Sequence, residues 1–128
     1  MYLLDTCTLL WLAADQEKLS TKATNTISKN TEELFISAIS AFEIAIKHRN
    51  NKLKLPVEPE KWFYDAVEFH NIHTIDIDPE IAANSALLPL IHNDPCDRMI
   101  IATAQKHKLK IITCDKNIAQ YSGIKVVW

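Results

Sequence analysis

The chain has 128 residues, 48% of them hydrophobic and 23% charged. That balance excludes a disordered tail and suits one domain, residues 1–128, burying roughly two-thirds of its unfolded surface. The formal charge of −2 argues against gripping nucleic acid by bulk electrostatics, although a bound divalent cation can supply positive charge locally. A single glycine, Gly123, rules out a P-loop and a dinucleotide fingerprint, which need glycines where backbone meets phosphate.

In chain order, Tyr2 to Asp5 reads as a strand, Thr8 to Ala14 as a helix, and Thr21 to Asn30 as a helix capped by Ser20. Leu34 to Ser37 is a short apolar strand, and Ser40 to Asn50 a helix expected to turn Phe42, Ala45 and Ile46 inward, ended by the Leu53 to Pro56 stretch. Helix Glu60 to His70 and strand Ile72 to Ile77 follow. Asp78-Pro79 opens a helix to Leu88, and Asp94-Pro95 another through Lys106. Lys110 to Cys114 is a strand, Lys116 to Tyr121 a short helix, and Lys125 to Val127 the last strand. Strands separated by helices predict an α/β fold with a mainly parallel sheet covered on both faces.

No apolar run reaches membrane-spanning length, and Met1 to Asp5 lacks the basic leader of a signal peptide. The expectation is a cytoplasmic protein with no membrane partner. Cys7, Cys96 and Cys114 form no C-x-x-C pair, so they read as reduced, apolar filler rather than a disulfide framework or a zinc ribbon.

Chemistry is carried by four acids at the edges of apolar segments, Asp5, Glu43, Asp97 and Asp115. Asp5 and Asp115 follow predicted strands, where the ligand crevice of an open α/β sheet lies. Carboxylates brought together repel unless a cation joins them, which makes the four a candidate metal site. Each also has a purely structural reading. Asp5 and Asp115 can cap the helices after them. Glu43 can pair with Lys47 four residues on. Asp97 sits at the third position of a helix capped by Asp94, where an acid suits the helix dipole, yet it also heads the apolar stripe Ile100, Ile101, Ala104. His92 and Arg98 flank this segment as candidate phosphate contacts; a loop histidine without function and a surface ion pair are their alternatives. Basic clusters at Lys47, His48, Arg49, Lys52, Lys54 and at Lys106, Lys108, Lys110 read equally well as solvated surfaces.

The segments Leu3-Leu4-Asp5-Thr6, Ser40-Ala41-Phe42-Glu43-Ile44, His92 to Ala102 and Thr113-Cys114-Asp115 resemble the PIN-domain family across essentially the whole chain, and within it the small VapC-type toxins of type II toxin–antitoxin systems. The run His92-Asn93-Asp94-Pro95-Cys96-Asp97-Arg98-Met99 carries the resemblance most specifically. Cys96 departs from it, standing where an aromatic is common. The resemblance implies a PIN-like fold and a Mg²⁺- or Mn²⁺-dependent endoribonuclease with Asp5, Glu43, Asp97 and Asp115 as catalytic and metal-binding residues. It assigns Asp94, Thr6, Thr113 and Asn117 supporting places. It also implies an RNA substrate, a small antitoxin that occupies the active-site groove, and a homodimer, for which Trp62 and Phe63 are candidate exposed apolar residues, with core packing the better reading for at least one of them.

Two rivals share parts of this reading. One is a catalytically silent module of the same fold that binds RNA or protein, its acids serving only as caps. The other is a phosphatase using Asp5 as nucleophile, which conflicts with Cys7 where a second acid is usual.

Overall fold

A computed structural model describes residues 1–128. Its centre is a five-stranded sheet, entirely parallel, in the order β3-β2-β1-β4-β5. The strands are β1 (Tyr2–Leu4), β2 (Leu34–Ser37), β3 (His73–Ile75), β4 (Lys110–Ile112) and β5 (Val126–Val127). The helices are α1 (Thr6–Ala14), α2 (Thr21–Lys29), α3 (Ile39–Arg49), α4 (Pro59–Phe69), α5 (Pro79–Leu87) and α6 (Pro95–His107). The chain moves from β1 out to β2 and β3, then crosses to the other side of β1 for β4 and β5. The order therefore reverses between β1 and β4, and at such a point the two connections leave a crevice at the carboxyl ends of the strands.

Strand alternation divides the core into two layers. Leu4, Leu34, Ile36, Ile112 and Val127 face one way, packing on Leu9 and Leu12 of α1, Ala23 and Ile27 of α2, Ile44 of α3 and Phe63, Ala66 and Val67 of α4. Leu3 and Ile111 face the other way, against Ile100, Ile101 and Ala104 of α6 and against Ile118 and Tyr121. A fully buried Leu or Ile contributes about 1.5–3 kcal/mol, so these layers fix the register that sets the crevice.

Local chemistry explains the helix starts. Asp5, Ser20, Asp78 and Asp94 are the N-caps of α1, α2, α5 and α6; each side chain accepts a backbone N–H from the first turn, and proline follows Asp78 and Asp94. Helix α1 begins at Thr6, two residues before its predicted start, because Asp5 rather than a later residue caps it. The Lys116 to Tyr121 segment shrinks to a 3₁₀ turn over Ile118–Gln120, and strand β3 is shorter than the apolar run that suggested it.

One expectation about side chains is corrected, and the choice between surface and core for Trp62 and Phe63 is resolved. Phe42 and Ile46 point outward, 57% and 37% exposed, while Ser40 and Ile44 of α3 are buried. The inward stripe is therefore the four-residue step 40 to 44, on which Glu43 is half-buried. Phe63 lies in the core and Trp62 is half-buried, so the freely exposed apolar residues are others, notably Phe69, Leu87 and Leu90.

Candidate metal centre at the carboxyl ends of β1 and β4

Asp5 leaves β1 directly into α1 and is buried. One carboxylate oxygen accepts the Thr8 N–H at 2.9 Å, and the other accepts a short hydrogen bond from the Thr113 hydroxyl. The Thr113 oxygen in turn accepts the Asp115 N–H at 3.0 Å. This hydroxyl thus ties the loop after β4 to the acid after β1. Thr8 adds a second tie, donating its hydroxyl to the Ile112 carbonyl at 2.8 Å. Burial pushes the Asp5 carboxyl above the ordinary carboxylate range, opposed by its bonds from Thr113 and Thr8 and reinforced by Asp115.

Asp97 enters from the first turn of α6. Asp94 caps that helix, accepting the N–H groups of Cys96 at 2.9 Å and Asp97 at 3.3 Å, which leaves the Asp97 side chain free of the capping duty. Burial first, then the charges of Asp94, Glu43, Asp5 and Asp115, push its carboxyl up to about 7. The charges of the other three sequence-predicted acids, Glu43, Asp5 and Asp115, thus all reach Asp97. Asp115 adds an Asx turn, its carboxylate accepting the Asn117 N–H at 2.9 Å. Asn117 itself is exposed and contributes only that backbone contact and a bond from Gln120.

Glu43 stands on α3 with one oxygen 3.9 Å from the Lys47 ammonium. Its other oxygen is buried without a hydrogen-bond partner, a costly condition for a carboxylate unless something else engages it. Thr6, read as a supporting polar position, shares a buried 2.9 Å hydrogen bond with Ser40 one turn before Glu43 and so braces α3 against α1. The hydroxyls of Thr8 and Ser40 are the ties that sequence reasoning missed. Their signal is a polar side chain at an otherwise buried helical position.

His92 approaches from the loop before α6. Its Nε2 lies 3.6 Å from an Asp97 oxygen and is buried with no hydrogen-bond partner. His92, Asp97 and Asp115 each offer a ligand atom within 4.8 Å of the others; Asp5 and Glu43 are outside that trio, and their charges reach Asp97. The donor set fits a divalent cation: oxygen-rich, over-charged without one, and containing two buried polar atoms that lack partners.

Arg98 does not fit the expected phosphate contact. Its guanidinium is buried and donates to the carbonyls of Pro89, His92, Ala86 and Leu88 at 2.7–3.3 Å. With its donors committed to backbone, it holds the loop that carries His92. The cysteines remain free. Burial, with nearby carboxylates, pushes the Cys7 and Cys96 thiols up to about 11, so they are protonated at neutral pH and ill-suited as thiolate ligands.

Acids at the switch point of a small, wholly parallel sheet define a class, and the PIN domain model matches residues 2–124: the chain belongs to the PIN-domain family. It is 32% identical over 120 residues to Ribonuclease VapC22 of Mycobacterium tuberculosis, spanning 93% of this chain and 90% of that protein. Among solved structures, a toxin–antitoxin complex from Klebsiella pneumoniae superimposes with a TM-score of 0.66 at 25% identity, over 97% of this chain and 95% of that one. The DNA-bound VapBC of Salmonella typhimurium gives 0.69 at 20% identity, over 98% and 95%, a likeness of fold. No helix is long and apolar enough to cross a membrane.

Proposed function

We propose that this chain is a cytoplasmic, Mg²⁺- or Mn²⁺-dependent endoribonuclease that acts as the toxin of a toxin–antitoxin pair. The observation that supports the reading is the grouping of Asp97 and Asp115 with His92, with the Asp97 carboxyl pushed up to about 7 by burial and by the charges of Asp94, Glu43, Asp5 and Asp115 and a Glu43 oxygen left buried without a partner. A capping-only role leaves both facts unexplained. It accounts for Asp94, whose carboxylate accepts backbone N–H groups, but not for Asp97. The similarity to Ribonuclease VapC22 supports the same activity.

Asp97 and Asp115 would hold the ion, with Asp5 and Glu43 completing the negative charge around it. When bound, the divalent ion lowers the pKa of water and neutralises charge on the scissile phosphate. The protein does the positioning. Thr113 and Thr8 fix the Asp5 carboxylate, and Asp94 takes over the capping of α6 so that Asp97 is available. The unpartnered Glu43 oxygen would accept a hydrogen from the attacking water in this reading. In-line attack on phosphorus with departure of the 3′ oxygen leaves 5′-phosphate and 3′-hydroxyl ends. Arg98 supplies no charge to the phosphate because its donors are spent on carbonyls.

A small antitoxin and a second copy of the chain are the partners in this reading. Phe69 and Leu90, each 82% exposed, and Leu87 at 81% supply apolar surface suited to protein contact. The test is incubation of the purified chain with total RNA and Mg²⁺ or Mn²⁺, beside EDTA and Asp97→Asn controls. Discrete cleavage abolished by both controls is the expected result. Absence of cleavage by a folded, metal-loaded protein overturns the nuclease reading in favour of a binding module.

A further inference from the structure

His92 is held more firmly than a loop histidine requires. Its Nδ1 lies 2.7 Å from the Tyr121 hydroxyl, and its backbone N–H donates to that same oxygen at 3.3 Å. Its carbonyl accepts from Arg98 at 3.3 Å. Tyr121 is itself 2% exposed, seated in the layer beneath α6. Backbone and ring are thereby fixed from two sides, and what the arrangement points at the acids is Nε2, buried and unpartnered.

The distances suit a shared ion. Ligand atoms around a cation with bonds of roughly 2.0–2.2 Å stand about 3 Å apart when adjacent and about 4 Å apart when opposite. The 3.6 Å separation of Nε2 from Asp97 falls within that range, and the 4.8 Å limit on the whole trio needs only a small inward closure. A metal-bound imidazole nearly always donates its other ring N–H to a fixed acceptor. The Tyr121 oxygen is such an acceptor. With Nδ1–H donating to it, the lone pair of Nε2 faces Asp97 and Asp115.

Resting on the metal-centre reading above, we propose that His92, positioned by the Tyr121 hydroxyl, is a nitrogen ligand beside Asp97 and Asp115, so that the site favours a transition-metal ion such as Mn²⁺ over Mg²⁺. The preference follows from donor chemistry. Mg²⁺ takes hard oxygen ligands and keeps much of its water; imidazole best suits the later first-row metals, and Mn²⁺, the weakest binder of that series, still takes a nitrogen ligand more readily than Mg²⁺ does. An all-carboxylate crevice has no such bias.

The test uses the full chain and Mn²⁺ alone, read by electron paramagnetic resonance, with Mg²⁺ as competitor. Bound Mn²⁺ shows ¹⁴N modulation of its spin echo in the unmodified protein and loses it in His92→Gln, which needs no assay of activity. Replacing His92 weakens Mn²⁺ binding by about 10- to 100-fold, the scale of metal-site losses, while Mg²⁺ binding changes far less. Tyr121→Phe keeps the nitrogen signal but weakens Mn²⁺ by about tenfold, with circular dichroism melting to exclude global unfolding as the cause. Asp97→Asn separates the two readings. If Mn²⁺ binds without nitrogen modulation and Asp97→Asn abolishes it, the centre stands and the role of His92 falls. Equal losses of Mn²⁺ and Mg²⁺ in His92→Gln overturn the selectivity. If the folded protein binds neither ion, both readings fall.

Discussion

Helices α5 and α6 begin with the same words and mean different things. Each opens on Asp-Pro, and in each the aspartate accepts an N–H from the third helical residue. In α5 that residue is the buried Ile81, and the cap itself, Asp78, reaches the Lys106 ammonium, which holds its carboxyl below the ordinary range. In α6 that residue is Asp97, surrounded by acids and pushed up to about 7. One helix start lowers an acid's pKa and the other raises it. Capping grammar therefore locates a helix but says nothing about chemistry; burial first, and then the surrounding charge, decide that.

The sharpest way to break this comparison is to neutralise one acid at each helix start. Asp97→Asn is expected to reduce RNA cleavage by about 10²–10³-fold, the loss of several kcal/mol of transition-state stabilisation; Asp78→Asn is expected to leave the rate unchanged. Cleavage kinetics under identical Mn²⁺ loading check both.

Next in size is Arg98, one residue further into α6. Arg98→Ala strands four carbonyls in a buried setting and is expected to cost about 3 kcal/mol or more of stability. Urea unfolding in the presence of chelator measures it. The corresponding position in α5 carries Ala82 and has no such duty.

The two helix starts also predict opposite pH dependence without metal. The folded protein holds the Asp97 proton up to about pH 7, whereas the unfolded chain releases it near the ordinary carboxylate value of 3.8. Between those limits the folded state binds more protons, so stability falls as pH rises and then levels off. Asp78 is depressed by Lys106, so its contribution is present above the unfolded pKa and is lost as pH falls through the folded one. Denaturation midpoints in chelator from pH 3 to 8 should show a shallower upper decline in Asp97→Asn, with Asp5 keeping its own share, and an unchanged decline in Asp78→Asn.

The smallest effect lies at the far end of α6. Lys108 closes it in the left-handed region at φ 56°, where glycine carries no steric penalty. Lys108→Gly is expected to raise stability by about 1 kcal/mol or less, visible as a small rise in Tm, with cleavage unaffected.

Much of this was legible in the sequence because it is local. Apolar runs of strand length, Asp-Pro and Ser starts, and acids just beyond strands all act within a few residues of themselves. That Asp5, Glu43, Asp97 and Asp115 could share one site is read from their places at the edges of apolar segments, Asp5 and Asp115 just beyond strands, and the family resemblance implies the same four. Three things were not. Phe42 and Ile46 were placed inward because they are apolar, whereas the face of α3 is chosen by Ser40 bonding Thr6 and by Ile44 entering the core. Arg98 was offered to phosphate because its charge sits beside Asp97, whereas the loop before α6 consumes its donors. The Tyr121 contact to His92 joins residues 29 apart in sequence. Each depends on a tertiary partner that composition cannot name.

The backbone conformation of the crevice has a consequence for how this protein can change over time. The residues at positive φ are Asn51, Asn71, Lys108 and Gly123; the last three come just before strands, at the amino end of the sheet, and Asn51 follows α3. None of the four convergent acids sits on strained backbone, so exchanging a carboxylate for its amide carries no conformational penalty. Aspartate and asparagine codons differ by a single base. A lineage can therefore extinguish the reaction at Asp97 in one step, keep a folded protein with its outer surface intact, and restore the reaction by the reverse step.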